Sequence, residues 1–313
     1  MIETTTDNLI ESLYANSLTV PAAEYRDWAL QHLRSWVTFD AAQWRRINTA
    51  AQRVFGVSYS GLPPSFSSAF DRVRHVDPVY QKLERGEADA VTSAEFEGLE
   101  FNPAWARLYA AHEIQQSTGV FVHSPGGVLH ELMFFRFDND DPFTEEQAEL
   151  LGRAARHMAS AATHAYFLLR GELSAPHARR PAALVDARGL FYEVQPAFVE
   201  LVRRAEPSFD GEMLPFEIAH NQYDRVFSWK GLSVYAHAVD DLSVVRLWEG
   251  DLLSALTQRE REIVSLVCEG HTQKSIAAQL DISASTVATH IYAAYSKLGV
   301  TTKTELLRLL NPA

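Results

Sequence analysis

The 313-residue chain carries 28 basic and 40 acidic side chains, a formal net charge of −12, with 47% hydrophobic and 22% charged residues. That length predicts two or three domains, and no run approaches the roughly 18 uncharged apolar residues that suggest a membrane span. One cysteine, Cys268, excludes an internal disulfide and a zinc–thiolate cluster. The opening residues 1–7 lack the basic flank and apolar core of a signal peptide, so a reducing, cytoplasmic setting is expected.

Residues 7–16 and 22–36 predict helices, the second with Tyr25, Trp28, Ala29, Leu33 and Trp36 near helical spacing. Residues 53–61 predict a strand that stops at Leu62-Pro63-Pro64. Helical pieces are expected over 66–115. Two strand-like runs, 119–123 and 128–135, flank Ser124-Pro125-Gly126-Gly127 and predict a hairpin. A long helix begins after Phe143, where Thr144 and Gln147 have capping-box spacing. Its Leu151, Ala155, Met158, Ala162, Ala165 and Leu169 line one face, which either packs on the domain's own sheet or forms a seam with a second copy. Residues 174–181 have the composition of a linker. Beyond it, 183–194 predicts strand, turn and strand, 196–205 a helix, and 225–229, 232–239 and 242–248 further strands, together a small α+β unit. No internal sequence repeat is evident.

From Leu256 the pattern changes. Thr257 is placed to cap a helix with Glu260 three residues on, and Ile263, Val264, Val267 and Cys268 give that helix an apolar face. Gly270 ends it. Thr272 starts a second helix over 273–280, with Ile276, Ala277 and Leu280 facing inward. Asp281-Ile282 forms a tight turn, and Ser283 caps a third helix that runs to about Leu298. Gly299-Val300 ends that helix, and Thr302 with Glu305 opens a fourth. Two short helices joined by a three- or four-residue turn set the second into a DNA major groove.

Four phrases, Leu-Thr-Gln-Arg-Glu-Arg-Glu-Ile (256–263), Gly-His-Thr-Gln-Lys-Ser-Ile-Ala (270–277), Leu-Asp-Ile-Ser-Ala-Ser-Thr-Val (280–287) and Lys-Leu-Gly-Val (297–300), resemble the LuxR-type helix-turn-helix in order and spacing. The resemblance covers about 57 residues. It implies a four-helix domain that contacts double-stranded DNA as a homodimer, with the fourth helix contributing to the dimer contact and a near-two-fold DNA site. The residues expected at DNA are Lys274, Ser285, Thr286, Thr289, His290, Tyr292 and Lys297, with His290 also able to brace the helix. Many relatives carry basic residues where this chain has Ala288 and Tyr292, so two cationic contacts are missing. Cys268 is expected in the core.

Charge supports this division. Residues 251–313 hold six basic and six acidic side chains, so the whole excess of −12 lies upstream, and only the tail is expected to meet nucleic acid. The layout of 1–173 (helices, an antiparallel sheet and a closing helix) resembles a GAF-type domain. The Leu-Val-Asp-Ala-Arg-Gly opening of 181–248 resembles a PAS-like one. The expected architecture is therefore two α+β sensory units, GAF-like then PAS-like, followed by an all-α LuxR-type domain over 252–313.

Such input units imply a small-molecule effector. The aromatics of the first unit, notably Trp44, Tyr59, Phe70, Tyr80, Trp105 and Tyr109, are candidate ligand contacts, the alternative being an ordinary core. Asp77-Pro78 followed by Tyr80 resembles the Asp-Pro step of acyl-homoserine-lactone receptors, although the PAS-like unit is foreign to them. RNA polymerase is a further partner this class admits; no cofactor and no membrane contact are expected. The residues reject a phosphoacceptor layout and a P-loop. Gly56-Val57-Ser58-Tyr59-Ser60-Gly61 approaches a nucleophile elbow but has Ser60 where glycine is required, so no enzyme is expected. His123 with His130, and His157 with His164, are expected to be structural rather than metal ligands. The reading is a ligand-responsive transcription regulator; the alternatives are an acyl-homoserine-lactone-type receptor and a regulator that works through a protein partner without direct base readout.

Overall fold

Two strands with charged residues at their centres organise the N-terminal half. In the computed structural model, which describes residues 2–96, 102–169, 180–239, 241–250, 253, 256–298 and 300–310, the chain divides into two units, Met1–Arg170 and Gly171–Ala313. The first holds a five-stranded antiparallel sheet of β1 (Ala41–Asn48), β2 (Arg53–Ser60), β3 (Ala90–Thr92), β4 (Gln116–Ser124) and β5 (Val128–Arg136), in the order β2-β1-β5-β4-β3. Side chains alternate across a strand, so β1 and β5 feed two separate cores. Ala42, Trp44, Leu132 and Phe134 join one; Ala41, Met133 and Phe135 join the other.

Helices cover both faces, which is why all of β5 is buried. The first face receives α1 (Ile2–Asn16), α2 (Tyr25–Leu33) and the long α6 (Glu145–Leu169). The second receives α3 (Ser65–Val73), α4 (Pro78–Glu84) and α5 (Pro103–Ala111). Helices, antiparallel sheet and closing helix thus follow the expected GAF-like layout. The hairpin turn lies at Pro125–Gly127, with Gly126 and Gly127 at φ +79 and +67.

Two expectations change in detail. Residues 41–48 form a central strand that hydropathy does not announce, because Gln43, Arg45 and Arg46 interrupt it. On α6, Leu151, Ala155, Met158, Ala162 and Ala165 are buried in the unit's own core, so the seam with a second copy finds that face already covered. The side chain of Leu169 and the linker residues 174–179 lie outside the described residues. The reciprocal Thr144–Gln147 bonds (3.1 and 3.2 Å) confirm the expected helix start.

The second unit contains another antiparallel sheet, β6 (Ala182–Val185), β7 (Phe191–Val194), β8 (Val226–Trp229), β9 (Leu232–Val239) and β10 (Leu242–Glu249), in the order β7-β6-β10-β9-β8. Helix α7 (Pro196–Ala205) buries Phe198, Val199, Leu201 and Val202. Numbered within each sheet, both orders are 2-1-5-4-3: the topology repeats where the sequence does not. At the β6–β7 turn Asp186 Oδ1 accepts from the amides of Arg188 and Leu190 (2.8 and 3.0 Å), and Gly189 sits at φ +82. Helices α8 (Gln258–Cys268), α9 (Gln273–Leu280), α10 (Ala284–Leu298) and α11 (Lys303–Leu310) follow. They enclose a small core that includes Ile263, Val267, Ile276, Val287, Ala294, Leu298 and Leu306. No helix among the described residues is long and apolar enough to cross a membrane.

Close approach of α4 to β4 depends on Gly119, where an added Cβ would lie 2.6 Å from Leu83 Cδ1 and 2.9 Å from both Met133 Sδ and Val79 Cγ1. Gly119→Ala is therefore expected to destabilise the N-terminal unit by about 1–3 kcal/mol through overpacking, read as a lower midpoint in denaturant unfolding.

Candidate functional site

The helix-turn-helix is fixed from its first turn. Thr257 Oγ1 accepts from the amide of Glu260 (3.3 Å), and Glu260 Oε2 accepts from the amide of Thr257 (2.8 Å), a closed capping box. The same Glu260 carboxylate, only 4% exposed, accepts from Lys297 Nζ through both oxygens (2.8 and 2.7 Å). One acid therefore joins the start of α8 to the last turn of α10. Burial pushes the Glu260 carboxyl up, but the hydrogen bonds from Lys297 and Thr257 outweigh it and hold the group below the usual range.

The turn into α10 uses local polar chemistry. Asp281 closes α9 in the left-handed region (φ 50, ψ 48), which an aspartate tolerates better than most residues. Ser283 Oγ accepts from the amide of Thr286 (3.1 Å) as the cap of α10 and also contacts the hydroxyls of Ser285 and Thr286 (2.7 and 2.8 Å).

Helix α10 divides sharply into two faces. Val287, Ala294 and Leu298 are buried. Ser285, Thr286, Thr289 and Tyr292 are exposed, and Tyr292, at 79%, is the most exposed large hydrophobic side chain among the described residues. Lys274 is exposed at the start of α9, and His290 is half-buried. The structure thus gathers Ser285, Thr286, Thr289 and Tyr292 on one surface, and it places Lys297 in the ion pair with Glu260. Cys268 is half-buried against the helical core, and burial pushes its thiol up.

A second cluster lies on the α3–α4–α5 side of the first sheet. Phe70, Tyr80, Trp105 and Tyr109 pack together there, with the rings of Trp105 and Tyr109 4.2 Å apart. Tyr59 lies opposite Gln43 in register and donates to Pro64 O (3.2 Å). Trp44 belongs to the opposite face and donates to His130 Nδ1 (3.1 Å). The six aromatics therefore do not form one site.

Polar residues complete the cluster. Arg45 and Glu131, 0% and 1% exposed, stand directly opposite in the β1–β5 register, with Nη1 and Oε2 3.1 Å apart. Tyr80 donates to Glu131 Oε1. Asp77 is fully buried: Oδ1 accepts from the amides of Val79 and Tyr80 (2.9 and 3.3 Å) and Oδ2 from the Tyr109 hydroxyl (2.9 Å). Gln43, facing Met133 and Tyr59 in register, is 0% exposed, and neither its Oε1 nor its Nε2 finds a hydrogen-bond partner among the described residues. Gln43 and Arg45 escaped the sequence reading because polar and charged residues in a run argue against a central strand; Glu131 lay within the expected 128–135 strand, but its role depends on standing opposite Arg45.

The histidine pairs are separated. His123 faces Leu129 and His130 faces Val122 in the β4–β5 register, so they point to opposite faces. His157 and His164 contact Tyr14 and Ser17, respectively (3.4 and 3.0 Å). No group of three metal-ligating residues occurs among the described residues. A groove of about 870 Å³ between α4, β3 and α6 is lined by Lys82, Thr92, Glu95, Arg153 and Arg156 among others, and none of the six aromatics lines it.

Comparison with known proteins assigns the tail to a class. Residues 254–310 match the family of bacterial regulatory proteins of the luxR family. This segment is a LuxR-type helix-turn-helix domain. It is similar to the monoamine regulon transcriptional regulator of Klebsiella aerogenes, 52% identical over 59 residues, 19% of this chain and 26% of that protein. It is also similar to the HTH-type transcriptional regulator MalT of Klebsiella pneumoniae, 47% identical over 47 residues, 15% of this chain and 5% of MalT. The alignments thus span about a quarter or less of these relatives. Among solved structures, Escherichia coli SdiA aligns at a TM-score of 0.40 and 15% identity over 95% of this chain and 93% of SdiA. A GAF domain/HD domain protein from Geobacter sulfurreducens aligns at 0.34 and 14% identity over 45% of this chain and 94% of that one.

The buried acids give the first unit a definite pH response. Burial, partly offset by Arg45 and then Arg74, raises Glu131 to about 7; burial also raises Asp77 to about 6 against its hydrogen bonds. A folded pKa above the unfolded value contributes stability that is full below the unfolded pKa and is lost as pH rises through the folded one. Relative to Glu131→Gln, the wild-type unit is expected to lose on the order of 3 kcal/mol between about pH 4 and 8, measured by urea unfolding; a constant difference across that range contradicts the assignment.

Proposed function

We propose that the chain is an effector-responsive, DNA-binding transcription regulator that acts as a homodimer. The observation that carries the reading is the exposed stripe of α10, Ser285, Thr289 and Tyr292, on the second helix of a helix-turn-helix within the matched segment. Early residues of such a helix meet base edges, while flanking amides and lysines hold phosphates. Lys274 takes the phosphate role, and Lys297 acts mainly as a brace, since Glu260 holds its ammonium. Two copies bound to half-sites about one helical turn apart would compensate for a domain with few cations.

The first unit is the effector sensor in this reading, and the second sheet with α7 is a PAS-like relay. Support for the sensor comes from the α3–α4–α5 side of the sheet. Its aromatic packing offers an apolar bed, and the buried amide of Gln43, without a hydrogen-bond partner among the described residues, offers both a donor and an acceptor. An effector that bonds that amide stabilises one arrangement of the sheet and its helices, and so shifts the population of the DNA-binding state. The α6 helix and the 240–255 connection are the routes proposed for that shift; residues 240, 251, 252, 254 and 255 lie outside the described residues. Action in the cytoplasm, with RNA polymerase as a downstream partner, completes the proposal.

Fluorescence anisotropy with duplex from the region upstream of the gene's own operon tests it. Binding is expected to prefer that sequence over unrelated duplex, weaken with salt, and change when a small-molecule extract of the host is added. Thr289→Ala and Lys274→Ala are each expected to weaken it roughly tenfold. Unselective binding that neither substitution alters contradicts the reading.

A further inference from the structure

The outward stripe of α10 is rich in hydroxyls and carries no formal charge. Ser285, Thr289, Tyr292 and Ser296 follow at intervals of four, three and four residues, the spacing of one helix face, and all are exposed. From Ala284 to Ser296 the helix contains no Arg, Lys, Asn, Gln, Asp or Glu. Those are the side chains that read bases most decisively: Arg and Lys at guanine, Asn and Gln at adenine, Asp and Glu at cytosine. Lys297, one position beyond, has its ammonium against both oxygens of Glu260.

The hydroxyls are also partly committed. Thr289 Oγ1 donates to Ser285 O (3.0 Å), so its proton is used within the helix, leaving acceptor capacity and a methyl group for a partner. Ser285 and Thr286 both contact the capping hydroxyl of Ser283. What the face still offers is carbon, from Ala284, Ala288, the Thr289 methyl and the Tyr292 ring, together with single hydroxyl contacts. In the major groove the one apolar feature of a base pair is the thymine C5-methyl group.

We propose that α10 reads DNA through thymine methyls and single hydroxyl contacts, so that its target class is duplex with A·T-rich half-sites, bound with little counterion release. This inference rests on the DNA-binding function proposed above. Phosphate neutralisation falls to residues outside α10: Lys274, Lys303 and Arg261 are exposed and form no ion pair among the described residues, but Arg261 Nε donates to Leu256 O (3.1 Å) at the start of α8, so the two lysines take the phosphates. With those two lysines of each copy on phosphate, two bound copies lose only about 100-fold in affinity between roughly 50 and 200 mM salt, against about 10³–10⁵ for a protein making six to ten phosphate contacts.

The full chain titrated by anisotropy against A·T-rich and G·C-rich duplex pools, over that salt range, reads both features. The A·T-rich pool is expected to bind at least about tenfold tighter. Replacing thymine by uracil, which removes only the methyl, is expected to weaken binding about fourfold per contacted base. Ala288→Arg, at a half-buried position beside the outward stripe, and Tyr292→Arg, at an exposed one, are each expected to steepen the salt slope by about 1 per bound copy and to erode the A·T preference. Preference for the G·C-rich pool, indifference to uracil, or a steep wild-type slope overturns the inference while leaving DNA binding in place. Failure of the wild type and of both arginine variants to bind either pool at low salt overturns the DNA-binding function itself.

Discussion

The Glu260 carboxylate is the constraint on which the DNA-binding domain depends. It caps α8 through the Thr257 amide and holds the end of α10 through Lys297, with both bonds to Nζ at 2.8 Å or shorter. A four-helix domain of this size has a small apolar core, so a polar tie between its first and third helices adds to the packing of Ile263, Val267, Val287 and Leu298 in holding them together. The tie also has a functional consequence. It uses the one lysine of α10 for architecture, leaving a readout surface of hydroxyls, methyls and a phenol ring. In the proposed function, affinity then depends on shape, on cations beyond α10 and on the pairing of two copies.

The first unit solves a different problem with similar chemistry. Arg45 and Glu131 are buried at the centre of a two-sided sheet, where an isolated charge would be prohibitively costly. Direct cross-strand opposition and the Tyr80 hydroxyl make their burial tolerable. The result is a polar seam within an otherwise apolar core, on the same face as the Gln43 amide, which has no hydrogen-bond partner among the described residues. Its acids have raised pKa values, whereas Glu260 is held low. Acidification therefore strengthens the contribution of the first set and weakens that of Glu260.

Much of the fold was legible from local chemistry. The caps at Thr257, Thr272 and Ser283, the hairpin glycines and the 196–205 helix each follow from residues whose preferences are strong and short-range. The closing helix α6 was equally plain, and burial of Leu151, Ala155 and Met158 decided which neighbour its small-residue face meets. Strand β1 was illegible because its buried charges make sense only once Glu131 stands opposite Arg45, a pairing 86 residues away in sequence. For the same reason the aromatic set could not be sorted: Trp44 and Tyr80 look alike in sequence, yet the pleat of β1 turns Trp44 to one face of the sheet while α4 carries Tyr80 to the other. The exposed face of α10 was legible because helix periodicity alone separates Ser285, Thr289 and Tyr292 from Val287 and Ala294. The commitment of Lys297 to Glu260 was not, since it depends on how α8 and α10 pack.

Backbone amide chemical-shift mapping of the full chain, titrated with an A·T-rich duplex containing two half-sites, tests the central claim most directly. The expected perturbations centre on Lys274, Ser285, Thr289 and Tyr292, with the Lys297–Glu260 pair remaining intact, as read from an unchanged Lys297 side-chain signal. Perturbations centred on the first unit with α10 silent, or release of Lys297 from Glu260 on binding, would contradict it.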